Sequence, residues 1–323
     1  MTTVSTGTDA DRERSSLRSA LLSHARPIDL AAVAAVPVIL VLVFTLPETT
    51  RRSMAFTYTD PTVSTAFTAH YVHLHVDHLA ANLAGYGLLA GAGYLLAAAS
   101  GHRRLFFTAF VTFCLAFPFA LSGLNLAVPR NAVGFGFSGI NMAFAGLLPL
   151  LLAASAREQV PAAAERAHST PPLSDSVAVR LLPPVFVVSV GWMASLALPI
   201  ALDLRGVVGP AAGLFGLLWL TWTVSTLFPA GSRSAVGWGR RLLGRPGHGE
   251  LLVLGVMLVV TYPIVGFPTE AAADGTVINI YVHLLGFCLA FIGTYVLVAA
   301  GAFDEPAGDS EHSPRRRGEA PSP

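Results

Sequence analysis

Phe135-Gly136-Phe137-Ser138-Gly139-Ile140 opens a charge-free, largely apolar run that continues to Ala154. Segments of this kind decide the fold. A stretch approaching 20 residues without a charge crosses the bilayer hydrocarbon as a helix, and the chain carries several. Hydrophobic residues make up 53% of its 323 residues and charged residues only 12%, which excludes an ordinary soluble domain of this length. The mouth of this helix is nevertheless a poor choice for simple spanning. Leu, Val or Ala suits lipid better than a serine between glycines, and glycine suits places where backbones bend or approach closely. The serine is therefore either a packing residue or a nucleophile.

Working outward, the hydropathy pattern predicts an all-α polytopic bundle of eight spans. They are Ile28–Leu46, Leu79–Ala99, Leu105–Val128, Phe137–Ser155, Ala178–Leu202, Val207–Phe228, Glu250–Phe267 and Val277–Ala302. Residues 1–26 read as a polar, disordered or surface-lying tail and 304–323 as a charged, Pro-rich disordered tail. The transmembrane domain occupies 27–303, with a linker at 156–178, a Gly- and Arg-rich loop at 230–249, and a long connection from Pro47 to Asp77. The first span is too long for a signal-peptide core and reads as a retained helix. With the N-terminus in the cytoplasm, only Arg51, Arg52, Arg130 and Arg205 fall outside. The other sixteen of the twenty basic residues, all arginine, fall inside. That bias fits the positive-inside rule and places both termini, the linker and the 230–249 loop in the cytoplasm of a cell-membrane protein. A net charge of +1 gives no sign of nucleic-acid binding. Cys114 and Cys288, each alone in an apolar run, read as core residues rather than a disulfide framework.

Three polar clusters interrupt the apolar pattern. The first is His70-Tyr71-Val72-His73-Leu74-His75-Val76-Asp77-His78, followed by Asn82; the second is Ser138 with its glycines; the third is His283 in Tyr281-Val282-His283-Leu284-Leu285-Gly286. The predicted topology puts all three at the starts of spans two, four and eight, which run the same way. Clusters far apart in sequence thus share one depth, about 9 Å or less from a helix start at 1.5 Å per residue. Ionisable groups inside a membrane are costly and point to function. His78 and Asn82 share a helix face, as do Ser138, Met142 and Gly146, and as do His283, Gly286 and Ala290. Small residues on the last face allow close approach of a neighbouring helix. A serine hydroxyl needs a base, which histidine supplies, and an acyl-transfer oxyanion needs donors such as an asparagine amide, an imidazole N–H or a backbone N–H.

These residues resemble the rhomboid family of intramembrane serine proteases. The family's H-x4-H-x3-N motif is matched by His73, His78 and Asn82, its G-x-S-G with a later glycine by Gly136, Ser138, Gly139 and Gly146, and its H-x-x-G by His283 and Gly286. The resemblance implies a six-helix core with two further helices. It makes Ser138 the nucleophile and His283 the general base, with His78, Asn82 and the Ser138 backbone N–H forming the oxyanion hole. It implies no cofactor and no metal, and transmembrane proteins within the lipid bilayer as substrates. Several positions depart from the family pattern. Ser64 and Thr65 stand where a Trp-Arg pair is common, Met142 where a tyrosine stacks on the catalytic histidine, Val282 where a small residue is usual, and Ala290 where a glycine is. Looser packing is expected there. Three predicted helices, rather than one, separate the serine and histidine helices, which keeps both groups on one side.

Other readings remain open at this point. His70, His73, His75, Asp77 and His78 offer five nitrogen or oxygen ligands in nine residues, as a metal site would. A histidine-box oxidase would need more such clusters, and the next histidine, His102, lies at the opposite end of its span. A rhomboid-like client-binding protein without activity usually lacks the serine or the histidine, and both are here. A transporter would show an internal repeat, and none is evident.

Overall fold

The computed structural model describes residues 17–128, 131–159, 172–197, 205–227, 247–266, 272–273, 276–277 and 279–304. The elements are, in chain order, α1 (Leu17–His24), α2 (Pro27–Phe44), α3 (Glu48–Ser53), β1 (Phe56–Thr57), α4 (Val63–Thr68), a 3-10 turn (Ala69–Tyr71), α5 (Val76–Ala99), α6 (Arg103–Leu115), α7 (Phe117–Asn125), β2 (Val133–Gly134), α8 (Ser138–Gln159), a second 3-10 turn (Leu173–Asp175), α9 (Val177–Arg180), α10 (Leu182–Ala197), α11 (Arg205–Leu227), α12 (His248–Gly266), the two-stranded pair β3 (Ala272–Ala273) and β4 (Thr276–Val277), and α13 (Ile280–Ala299). The protein is an all-α polytopic bundle. Five helices (α2, α5, α8, α12 and α13) are long and apolar enough to cross a membrane, and a sixth span results if α6 and α7, bent by 50°, count as one. Pro118 in the first turn of α7 accounts for that bend, because proline lacks the N–H that would continue the helix.

Helix α8 is the axis: 89% of its most apolar window is buried, against 17% for α2. Large apolar side chains on the outer helices stay exposed, among them Val38 and Leu42 of α2 and Val260 and Val265 of α12. An apolar periphery of this extent is what lipid solvates. Around the axis, α5 packs through Tyr86, whose ring meets Phe137 and Phe144, and through Gly93 against Leu151. Helix α13 packs through bare backbone. A β-carbon on Gly286 would collide with the Gly139 carbonyl, and one on Gly146 with the Phe287 carbonyl. Residue 139 thus meets 286, and 146 meets 287 and 291, so α8 and α13 run parallel. Helix α5 is parallel to them as well, since Asn82 meets Asn141 and Gly93 meets Leu151. The starts of α5, α8 and α13 therefore lie toward the same end of the bundle.

Of the three helices between the serine and histidine helices, α12 lies against the site helices. Its Gly255 rests on Leu152 of α8 and Leu96 of α5. Helices α10 and α11 pack on each other, with Gly191 facing Ala212 and Gly216 facing Val188. Phe186 of α10 stacks on Phe291 of α13 with ring centroids 4.4 Å apart. Helices thus occur at all eight expected positions, but among the described residues neither α10 nor α11 is one of those long and apolar enough to cross a membrane. Parts of several predicted segments lie outside the described residues: 1–16 and 305–323 of the tails, 160–171 of the linker, and 228–246, which takes in most of the Gly- and Arg-rich loop. The end of the N-terminal segment, expected to be disordered or surface-lying, is helical. It forms α1, and Leu17 and Leu21 pack on the core because they share a helix face. Cys114 is a buried free thiol, as expected of a core residue, and Cys288 is a half-buried one.

The α8–α13 crossing predicts a sharp contrast. Gly286→Val forces two backbones apart and costs on the order of 3 kcal/mol or more, read as a large fall in the melting midpoint of the detergent-solubilised protein. Gly293→Ala, on the same helix but with nothing within 4 Å of its β-carbon, leaves the midpoint unchanged or slightly raised.

Candidate active site

The stretch before Ser138 is held from three directions. Strand β1 pairs antiparallel with β2, Phe56 opposite Gly134, so the long connection after α2 is joined to the chain just ahead of the serine. The Gly136 N–H donates to the Ala69 carbonyl at 2.9 Å, and the Phe137 N–H points at His73 Nε2 at 3.5 Å. Gly136 has φ +109°, a region that side chains rarely adopt. A β-carbon there would also lie 2.6 Å from His78 Cε1. Glycine is required on both counts, and the price of any substitution is displacement of His78. The Phe137 carbonyl accepts from the Asn141 N–H at 3.0 Å. Ser138 is therefore the first helical residue, and its N–H precedes the first intrahelical bond.

The histidine is placed by its own helix cap. Asn279 caps α13 by accepting from the Val282 N–H at 3.2 Å, and its Nδ2 donates to the Tyr58 hydroxyl at 3.0 Å. One turn further on, His283 is buried, and its Nδ1 lies 2.6 Å from the Gly266 carbonyl at the end of α12. A carbonyl only accepts, so Nδ1 carries the proton and the basic lone pair is on Nε2. Val282 fits against Gly139, whose β-carbon position lies 3.1 Å from Val282 Cγ2. Ser138 and His283 are each one residue from that contact in sequence, so the crossing brings together the helix turns that carry them.

The rings of His73 and His78 are 5.0 Å apart, edge to face. Asn82 is buried; its Nδ2 donates to the His78 carbonyl at 2.9 Å, and its Oδ1 accepts from Asn141 at 3.2 Å. The predicted residues Ser138, His283, His78, Asn82, His73, Gly136, Gly139 and Gly286 thus lie toward one end of α5, α8 and α13, with Gly146 deeper along the α8–α13 contact. The remainder of the histidine cluster disperses. His70 pairs with Ser122 at 3.1 Å, while His75 and Asp77 are exposed. Among the described residues, no three of His, Cys, Asp and Glu come together as a metal-ligand group.

The departures from the family pattern have local explanations. Thr65 forms a capping box with Thr62 at the start of α4, each backbone N–H bonded to the other's hydroxyl, and so opens that helix. Arg51 secures the same connection. Its guanidinium donates to the carbonyls of His73 and Leu74 and lies 4.5 Å above the Phe44 ring. Met142 is buried with its sulfur 2.9 Å from the β-carbon position of Gly266. Met142 packs on the residue whose carbonyl holds His283, so support that a stacked ring would give comes from α12. The bulk of Val282 is absorbed by Gly139, so packing there is close rather than loose. Sequence reading missed Asn279, Gly266, Asn141 and Tyr262. Only Asn279 had a legible signal, an asparagine just ahead of an apolar run, which marks a helix N-cap. Compared with known proteins, the chain matches no family model, no curated protein and no solved structure.

The buried loop histidines make stability depend on pH. Burial pushes His73 down to about 3, with His78 adding to the shift, and burial pushes His70 down to about 4. The unfolded chain binds these protons near pH 6.5 and the folded chain does not, so the stabilisation is complete above that pH and shrinks as pH falls toward 4 and 3. The loss is up to about 1.4 kcal/mol per histidine per pH unit. The melting midpoint in detergent should drop between pH 7 and pH 5, and less steeply in His70→Gln.

Proposed function

We propose that the chain is a rhomboid-like intramembrane serine endopeptidase that cleaves transmembrane or juxtamembrane segments of other membrane proteins. The observation that carries this reading is the glycine-lined crossing of α8 and α13. It brings the turns that carry Ser138 and His283 against each other, and the Gly266 carbonyl beside His283 Nδ1 supports an Nε2 base. Ser138 Oγ attacks the scissile carbonyl, and His283 Nε2 takes its proton and later gives it to the leaving amine. Asn82, His78 and the Ser138 N–H stabilise the oxyanion. Water entering from the outer face hydrolyses the acyl-enzyme. The substrate helix unwinds locally, since a helix keeps its carbonyls in hydrogen bonds. In this reading α10 and α11 form an additional membrane hairpin that raises the span count to eight; the exposed Val207, Leu214, Phe215 and Trp222 of α11 support a lipid-facing place for it. The parallel α8 and α13 need an odd number of crossings between them, which α12 alone or all three helices satisfy. The arginine distribution supports cytoplasmic termini in the cell membrane, with the site opening to the outer face.

Ser138→Ala and His283→Ala should each lower cleavage of a reporter membrane protein by about 10³-fold or more, and Ser138→Ala should keep a melting midpoint close to wild type. A fluorophosphonate probe should label the wild type and not Ser138→Ala, and a chelator should leave the rate unchanged. Full activity in Ser138→Ala overturns the mechanism. A chelator-sensitive rate points to the histidine cluster instead. A well-folded wild type that neither labels nor cleaves is a client-binding protein of the same build.

A further inference from the structure

Beneath the proposed dyad, α5, α8 and α12 are joined by polar side chains that the scheme above leaves without a role. Asn141 stands three residues after Ser138 on α8 and is 1% exposed. Its Nδ2 donates to the Asn82 main-chain carbonyl at 3.0 Å and to Asn82 Oδ1 at 3.2 Å. The same amide hydrogen-bonds the hydroxyl of Tyr262 on α12. Gly85 on α5 makes the room. A β-carbon there would collide with the Tyr262 hydroxyl and lie 3.1 Å from Asn141 Nδ2. Asn141 Oδ1 is buried without a partner. A leucine at this depth would fill the space with no polar group to satisfy, so an asparagine here costs stability.

What the cluster does is fix a plane. An asparagine side chain offers an acceptor at one end and two N–H donors at the other. Asn141 holds the Oδ1 end of Asn82, and the His78 carbonyl holds one hydrogen of Nδ2 at 2.9 Å. With both ends held, the second Nδ2 hydrogen has one direction. We propose that Asn141, braced by Tyr262, is a positioning residue that holds the Asn82 amide so that its second N–H meets the developing oxyanion. The inference rests on the serine-protease reading. It also gives α12 a double part, because Tyr262 lies one turn before Gly266, whose carbonyl holds His283. One turn of α12 braces the oxyanion donor and the base together.

The test is a double-mutant cycle on reporter cleavage in proteoliposomes, with kcat, KM and melting midpoint measured for each variant. Loss of a single oxyanion donor lowers kcat by about 10²–10³-fold, and Asn82→Ala should fall in that range. Asn141→Leu should lower kcat by about 10–100-fold and leave KM within about twofold. The pair Asn82→Ala/Asn141→Leu should be no slower than Asn82→Ala alone, since a residue acting through Asn82 has nothing left to act on. Tyr262→Phe removes one hydroxyl and should lower kcat by about 3–10-fold, again not additively with Asn82→Ala. That second cycle carries the test if Asn141→Leu does not fold. Wild-type kcat in Asn141→Leu, or losses that multiply with Asn82→Ala, or a fall in kcat matched by a rise in KM, overturns the positioning role and leaves the protease reading standing. A wild type that neither labels with fluorophosphonate nor cleaves removes both.

Discussion

The contact on which the structure depends is the bare-backbone crossing of α8 and α13, where Gly286 sits on the Gly139 carbonyl and Gly146 on the Phe287 carbonyl. Lipid tails are as apolar as leucine, so no hydrophobic force presses two membrane helices together. Close packing between small residues has to do that instead. Two contacts seven residues apart on α8 fix the axial register of the pair as well as its separation. With the register fixed, Ser138 and His283 can only be at one depth. A side chain at either glycine would lengthen the distance and let the helices slide, and the relative placement of Ser138 and His283 would change with it.

The chain around this crossing works as a frame. The connection after α2 is pinned by Arg51, by the β1–β2 pair and by the capping box of Thr62 and Thr65. It delivers the Ala69 carbonyl and His73 to the two residues before the serine. At the other edge α12 supplies the Gly266 carbonyl to His283 and the Tyr262 hydroxyl to the Asn141 amide. Helix α10 reaches the centre through contacts such as Phe186 on Phe291, and among the described residues no contact of α10 or α11 with the candidate site residues is seen.

Buried polar groups in the frame are nearly all paired, as the absence of water in hydrocarbon requires. The Tyr71 hydroxyl donates to the Cys114 carbonyl at 2.6 Å and the Tyr86 hydroxyl to the Val33 carbonyl at 2.7 Å. Arg103 and Tyr94 both bond the buried carboxylate of Asp29. Each of these ties joins different helices or a loop to a helix. Against that background, the unpartnered atoms His73 Nδ1 and Asn141 Oδ1 stand out, and both belong to residues that touch the proposed site.

The fold class and the cluster of candidate residues were legible in the sequence because each is written locally. Apolar length marks a span, and His78 with Asn82, Ser138 with Gly146, and His283 with Gly286 each lie within a few turns of one helix. Helix direction follows from counting spans, so a common depth could be read before any contact was known. What one chain segment does to another was not legible. Nothing near Met142 shows that Gly266 supports the histidine, because that carbonyl belongs to a helix more than a hundred residues later. Nothing near Asn82 points to Asn141, because their bond exists only once α5 and α8 pack. The helix beside the site could not be chosen from three apolar candidates of similar composition. The sequence by itself determined which residues stand on which face and at which end of each helix. Only the tertiary structure decided which faces meet, because in a membrane that choice rests on shape and hydrogen-bond geometry rather than on hydropathy.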